Sequence, residues 1–199
     1  MLPLVAYLFF ASGVNNFAKL PVLKENVLSI SDYSKVDLNK KISILFFLGS
    51  NIEDRQGDAL NMNQKIYKRF YDFEDFQFVV ICPLESEQLA YDLKNKLEMG
   101  TNTDMRKWNF VFLDPNIIEE VFNSLNTNTN LDQYSGSPYV YIVDKKRSLR
   151  GRNDDDGIKF GYDSRSVADI NNFMVDDVKV ILAEYRLALK KNGITRKDL

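Results

Sequence analysis

The sequence predicts an α/β domain with a mainly parallel central sheet, a closing antiparallel hairpin and helices on both faces. Three observations predict it. Short apolar runs at 42–48 (ISILFFL), 76–82 (FQFVVIC), 108–113 (WNFVFL) and 139–143 (YVYIV) are continuous rather than alternating, as strands buried on both faces are. The stretches between them carry apolar residues at helical spacing. Late in the chain a run opening at Leu149 follows its predecessor after one short turn, which breaks the strand–helix alternation.

Residues 17–22 (FAKLPV) read as a linker into the domain, and 27–30 as a short edge strand. The strand 42–48 is ended by Gly49-Ser50, and 51–57 is polar and loop-like. Leu60, Ile66, Tyr67, Phe70 and Tyr71 then recur as on one helix face. The strand 76–82 is closed by Pro83, and 86–97 is helical, with Leu89, Leu93 and Leu97 four apart. After the strand 108–113, Asp114-Pro115 suits a helix start, giving a short helix over 116–125. An Asn- and Thr-rich loop spans 126–136, and 144–148 is a turn. A long final helix runs from Val167 to about Lys191 with a stripe of Val167, Ile170, Met174, Val178, Ile181 and Tyr185. This order is what a thioredoxin-like fold with an insertion gives. A flavodoxin-like sheet is the alternative, and it normally places a phosphate loop after the first strand, for which GSNIEDRQG is a poor candidate.

Composition removes several chemistries. The 199 residues hold no histidine and a single cysteine, Cys82, so histidine general-base chemistry, an intramolecular disulfide, a CxxC pair and a Cys-rich metal site are all excluded. A net charge of −2, from 26 basic and 28 acidic residues mixed along the chain, gives no electrostatic reason to expect nucleic acid. Residues 2–14 (LPLVAYLFFASGV) are apolar and uncharged but short of the about 20 a spanning helix needs, and no basic region precedes them as in a signal peptide. They read as a membrane anchor cut short by a start downstream of the true one, or as a helix of a soluble protein; Tyr7, Phe9, Phe10 and Phe17 form an interfacial belt in the first case and packed helix in the second. The division expected is 1–19 as apolar segment, 20–192 as the thioredoxin-like domain and 193–199 as tail.

The order of elements and several phrases resemble the Sco family, membrane-anchored thioredoxin-fold proteins of copper delivery and thiol chemistry in cytochrome oxidase assembly. In that family a strand ends in Ser-Cys-x-x-x-Cys-Pro; here ILFFLGS ends at Ser50, with Asn51 and Arg55 where the two cysteines would stand. KWNFVFLDPNIIEEVF, with Trp108, resembles the family's Trp-led strand and its helix, and LRGRNDDDG (149–157) the strand and loop before its last helix. Counting back from Asp144 places Gly136 or Ser137 at the family's histidine. The resemblance spans roughly residues 20–190 and implies architecture and cellular context, with the metal ligands absent. Copper(I) needs soft thiolate or thioether ligands, which Asn51, Arg55 and Gly136 do not supply, and Arg55 adds a fixed positive charge.

Asn51, Arg55, Gly136, Ser137 and Pro138 are therefore the candidate partner-binding pocket, with no catalytic residue, no cofactor and no metal expected. By analogy with the fold, the Ser137–Pro138 bond is expected to be cis. Cys82, in VVICP, has burial and no nearby base and reads as a core thiol. The segment 154–157 (DDDG) is a poor calcium loop, since Arg152 falls at its first position and Asp163 at its twelfth, and reads as a solvated turn. The leading expectation is a non-catalytic, Sco-like factor that binds a protein partner, anchored with its domain outside the cytoplasm and facing the periplasm, with a link to cytochrome oxidase biogenesis. The alternatives are a thiol oxidoreductase or peroxidase using Cys82, an anion- or small-molecule-binding module using Arg55, and a soluble cytoplasmic location.

Overall fold

The computed structural model describes residues 19–155 and 157–191. The apolar segment 2–14, its aromatic residues, Asp156 of the acidic turn and the tail 193–199 lie outside them.

Residues 42–48 fold as expected. β2 (Ile42–Phe47) is buried along its whole length. Its side chains alternate between two cores: Ile42, Ile44 and Phe46 face one, Leu45 and Phe47 the other. β3 (Phe76–Pro83) and β4 (Trp108–Leu113) extend the sheet parallel to β2. β5 (Tyr139–Val143) lies antiparallel on its other side, and β6 (Leu149–Arg150) turns back antiparallel on β5 as the closing hairpin. With β1 (Val22–Lys24) at the edge, the sheet order is β1-β6-β5-β2-β3-β4, so the parallel strands form one half of a mixed sheet.

Helix α1 begins at Gln56–Met62, passes through a π-helical stretch, Asn63–Tyr67, and ends in Lys68–Phe70. Helix α2 (Glu87–Thr101) and the final helix α4, which runs Val167–Asp169, π-helical Ile170–Met174 and Val175–Lys191, cover the same face. Helix α3 (Pro115–Ser124) and the loop carrying Val27, Ile30 and Leu38 cover the other. Apolar side chains on both sheet faces leave β2, β3 and β5 almost no solvated surface, which explains their continuous apolar runs.

Several boundaries depart from the sequence expectation. The edge strand is β1 (Val22–Lys24), paired with β6, and not 27–30. Val27 and Ile30 are loop anchors, buried because the loop packs on the sheet; the Val27 N–H donates to the Arg147 carbonyl at 2.8 Å. The expected linker is already part of the domain, since Leu20 is in the core and Val22 in the sheet. Leu60, Leu89 and Val167 point outward, each about 40% exposed, while Ala59, Met62 and Ala90 face the core. In α1 and α4 the π-helical stretch adds a residue to the turn and shifts the buried stripe around the axis. Two short additions have too few residues for a periodic signal: the hairpin β7 (Arg152–Asp154) and β8 (Gly157–Lys159), and β9 (Tyr162–Asp163), which pairs with β5. The hairpin is the acidic turn; Arg152 in it binds Asp177 of α4, at 2.7 and 2.8 Å, rather than a cation site.

Candidate functional site

The carboxyl end of β2 lies at the point where the sheet switches direction, with parallel β3 on one side and antiparallel β5 on the other. Crevices for ligands in open α/β sheets form at such a place. The chain leaves β2 through Gly49 at φ +74°, a left-handed conformation that glycine adopts without cost. The same glycine lets the loop before β5 approach: a Cβ there would stand 2.6 Å from the Tyr134 carbonyl oxygen and 2.8 Å from Gly136 Cα. The Ser50 N–H donates to that Tyr134 carbonyl at 2.9 Å, and the Ser137 N–H to the Phe47 carbonyl at 2.8 Å. Two backbone bonds thus fix the loop 132–138 against the end of β2.

An open cleft of about 620 Å³ lies between this loop, the start of α1 and the turn after β9. Asn51, Asp54, Arg55 and Asp58 line one wall, Asp132, Gln133, Tyr134 and Pro138 the opposite one, and Arg165 the end. Of the five residues singled out from sequence, Asn51, Arg55 and Pro138 line the cleft. Gly136 lies beneath Arg55, where a Cβ would meet the guanidinium nitrogens at 3.1 and 3.2 Å. Ser137 is fully buried behind it, its hydroxyl accepting from the Tyr139 N–H at 3.1 Å. The Ser137–Pro138 bond is trans, against the analogy. A trans bond is the lower-energy state of X–Pro, and here it coexists with the Ser137–Phe47 backbone bond and a Pro138 carbonyl that accepts from the N–H and hydroxyl of Ser164 at 2.9 and 2.7 Å.

Arg55 is engaged. Its guanidinium donates to Asp132 Oδ2 at 2.7 Å and stands 3.7 Å from Asp58, with its side chain 14% exposed. Asp132 Oδ1 accepts the N–H groups of Tyr134 at 2.8 Å and Gly136 at 2.9 Å, closing the loop as a turn around one carboxylate. Partial burial pushes the Asp132 carboxyl up, but the bonds from Gly136, Arg55 and Tyr134 outweigh it and hold it below the usual range. Asp58 is the reverse: burial raises it more than Arg55 and Arg165 lower it. Asn51 turns to its own helix start, donating to Asp54 at 2.7 Å. Arg165 is held bidentate by Asp163, both bonds 2.8 Å. Three carboxylates against two paired guanidiniums leave no surplus positive charge, so an anion at Arg55 would have to displace Asp132.

Asp132, Asp58, Gln133, Tyr134 and Arg165 were not legible as site residues. The available signal was Asp132 in the polar loop before Gly136, a residue type that bonds backbone two to four positions on. Cys82 lies outside the cleft, inside the helix-covered core at zero exposure, and burial pushes its thiol up. Among the described residues no cluster of three or more acidic or cysteine side chains could hold a metal ion, and no helix is long and apolar enough to cross a membrane.

No family model and no curated protein matches the chain in sequence. Solved structures match its shape. BsSco, a member of the Sco family of cytochrome c oxidase assembly proteins in which a disulfide switch was identified, superposes with a TM-score of 0.52 at 14% identity, over 81% of this chain and 94% of its own. A SCO1/SenC family lipoprotein from Bacillus anthracis gives 0.50 at 12%, over 83% and 99%. A protein proposed to be a disulfide isomerase, from Bacteroides thetaiotaomicron, gives 0.50 at 12%, over 83% and 95%. The fold is thioredoxin-like. The chain shares it with Sco-family proteins and with the protein proposed to be a disulfide isomerase, and at these identities the likeness is one of architecture. In this thioredoxin-like domain the cleft at the end of β2 is built from Asn51, Arg55 and Asp132, without a thiol.

Proposed function

We propose that the protein is a Sco-like, thioredoxin-fold factor without a copper or dithiol site, which works by binding a protein partner in cytochrome oxidase biogenesis. One observation carries this reading: Arg55 and Asp132 pair across the place where the resemblance puts metal ligands, and Gly136 makes room for the guanidinium. A site so filled retains a shaped cleft, with Tyr134 43% exposed at its rim, and has lost the means of redox or copper chemistry. The likeness to BsSco, over 81% of this chain, supports the assembly context. The apolar run at 2–14 and the likeness to a lipoprotein support an anchored domain facing outside the cytoplasm.

Complementation tests the role. In a strain lacking the gene, oxidase activity falls; the wild type and Cys82→Ala restore it, while Tyr134→Glu, which charges the cleft rim, does not. Failure of Cys82→Ala alone would transfer the function to the thiol. Copper(I) titration of the full chain tests the negative half, and stoichiometric tight binding would end the proposal. Protease accessibility in intact cells and spheroplasts tests the location.

A further inference from the structure

One edge of the sheet is left open. Among the described residues β4 pairs with β3 on one side and with no strand on the other. The Phe78 N–H donates to the Lys107 carbonyl at 2.9 Å, which sets the alternation along the parallel ladder: Asn109 and Val111 turn their backbone groups toward β3, and Phe110 and Phe112 turn theirs outward. Trp108 also faces outward but is occupied, its N–H donating to the Met105 carbonyl at 3.1 Å and its carbonyl accepting from Lys94 Nζ at 3.1 Å. A bare edge of this kind is a template for another strand.

The flank of that edge is aromatic. Phe110 and Phe112 are only partly buried and stack 6.1 Å apart. Tyr91 of α2, 45% exposed, lies against both, at 6.3 and 5.8 Å. Asp114, just past the strand, is exposed and in no ion pair among the described residues.

We propose that two copies of the chain pair through β4, antiparallel about a two-fold axis at Val111, so that the sheet runs on from one protomer into its partner. The occupant follows from self-complementarity. In this register Phe110 faces the partner's Phe112 and Phe112 faces the partner's Phe110. These are the residues with outward N–H and C=O groups, so each pair exchanges two backbone bonds. The Tyr91–Phe110–Phe112 clusters of the two copies join on one face as cross-strand aromatic neighbours. The same register sets Trp108, with Lys94 on its carbonyl, opposite the partner's Asp114. Each unpaired carboxylate thereby meets an ammonium, twice over. An unrelated strand could take the backbone bonds but would leave Lys94 and Asp114 unmatched. A net charge of −2 adds little repulsion between copies.

The test is sedimentation velocity of the full chain over roughly 1 to 200 µM, where weak self-association is read, with zero-length carbodiimide cross-linking and peptide mass spectrometry. The expected result is a dimer that grows with concentration and carries a Lys94–Asp114 cross-link. Within one chain the strand holds these groups about 20 Å apart, at about 3.3 Å per residue, so that link joins two copies. Asp114→Lys weakens association about tenfold through its two symmetric repulsions, and Lys94→Asp with Asp114→Lys restores it. Tyr91→Glu, on an exposed side chain, weakens it independently, with circular dichroism checking the fold of each variant. A monomer throughout, a dimer without the Lys94–Asp114 link, or association indifferent to both Asp114→Lys and Tyr91→Glu would overturn the proposal.

Discussion

Arg55, Asp132 and Gly49 each have a reason that geometry supplies. A methyl at Gly49 meets three backbone atoms under 3 Å and forces φ +74° on an alanine. Gly49→Ala is expected to cost about 2–4 kcal/mol in urea unfolding. Gly136→Ala should cost less, because one of its neighbours is the movable Arg55 side chain. Asp132 adds a pH dependence. Its folded pKa lies below the unfolded value, so its stabilisation is present above the unfolded carboxylate range near about 4 and is lost as pH falls through the lowered value. Asp132→Asn should therefore be less stable than the wild type at neutral pH, with the gap closing below about pH 4. Asp58 has the opposite sign: its pKa is raised, so its contribution is full in acid and is lost as pH rises through the raised value. Measuring stability of both Asn variants against pH separates the two; a constant gap for Asp132→Asn would refute its part.

Among the described elements, the N-terminal strand depends on a buried charge for its attachment. Arg150 of β6 is 4% exposed in its side chain. It donates to Asp144 at 2.9 Å, to Glu184 of α4 at 2.6 Å and, through Nε at 2.9 Å and Nη2, to the Leu20 carbonyl. Three parts of the chain converge on one guanidinium. Arg150→Met leaves Asp144, 3% exposed, without its cation and is expected to cost about 3–5 kcal/mol. Asp144→Asn in the same chain should recover part of that loss, since the stranded charge is gone; no recovery would show that packing and not charge dominates. The major strands were legible because their burial is uniform and needs no context. β1, β6 and β9 were not, or only as a beginning, because strands of two or three residues are defined by partners far along the chain. The outward Leu60 and Val167 show the same limit in helices: an ideal period cannot foresee a π-helical turn.

At the scale of the molecule, Cys82 sits near the carboxyl end of β3, in a core closed by three helices. Reaching its sulfur requires parting β3 from α1, α2 or α4. Labelling by an aromatic disulfide reagent is expected to follow global unfolding, with the same denaturant dependence, and fast labelling of the native protein would contradict it. The missing histidine and the lone cysteine are readable from composition, whereas the cleft needed the fold, because its walls come from residues 51–58, 132–138 and 165. Only the meeting of those segments reveals that Arg55 has a carboxylate waiting for it.

That meeting has a consequence for how the domain senses its surroundings. A covalent or metal-held clasp between helix start and loop would open and close with electrons. The Arg55–Asp132 clasp answers to protons and dissolved ions instead, and the chain's one sulfhydryl is sealed in the core away from it.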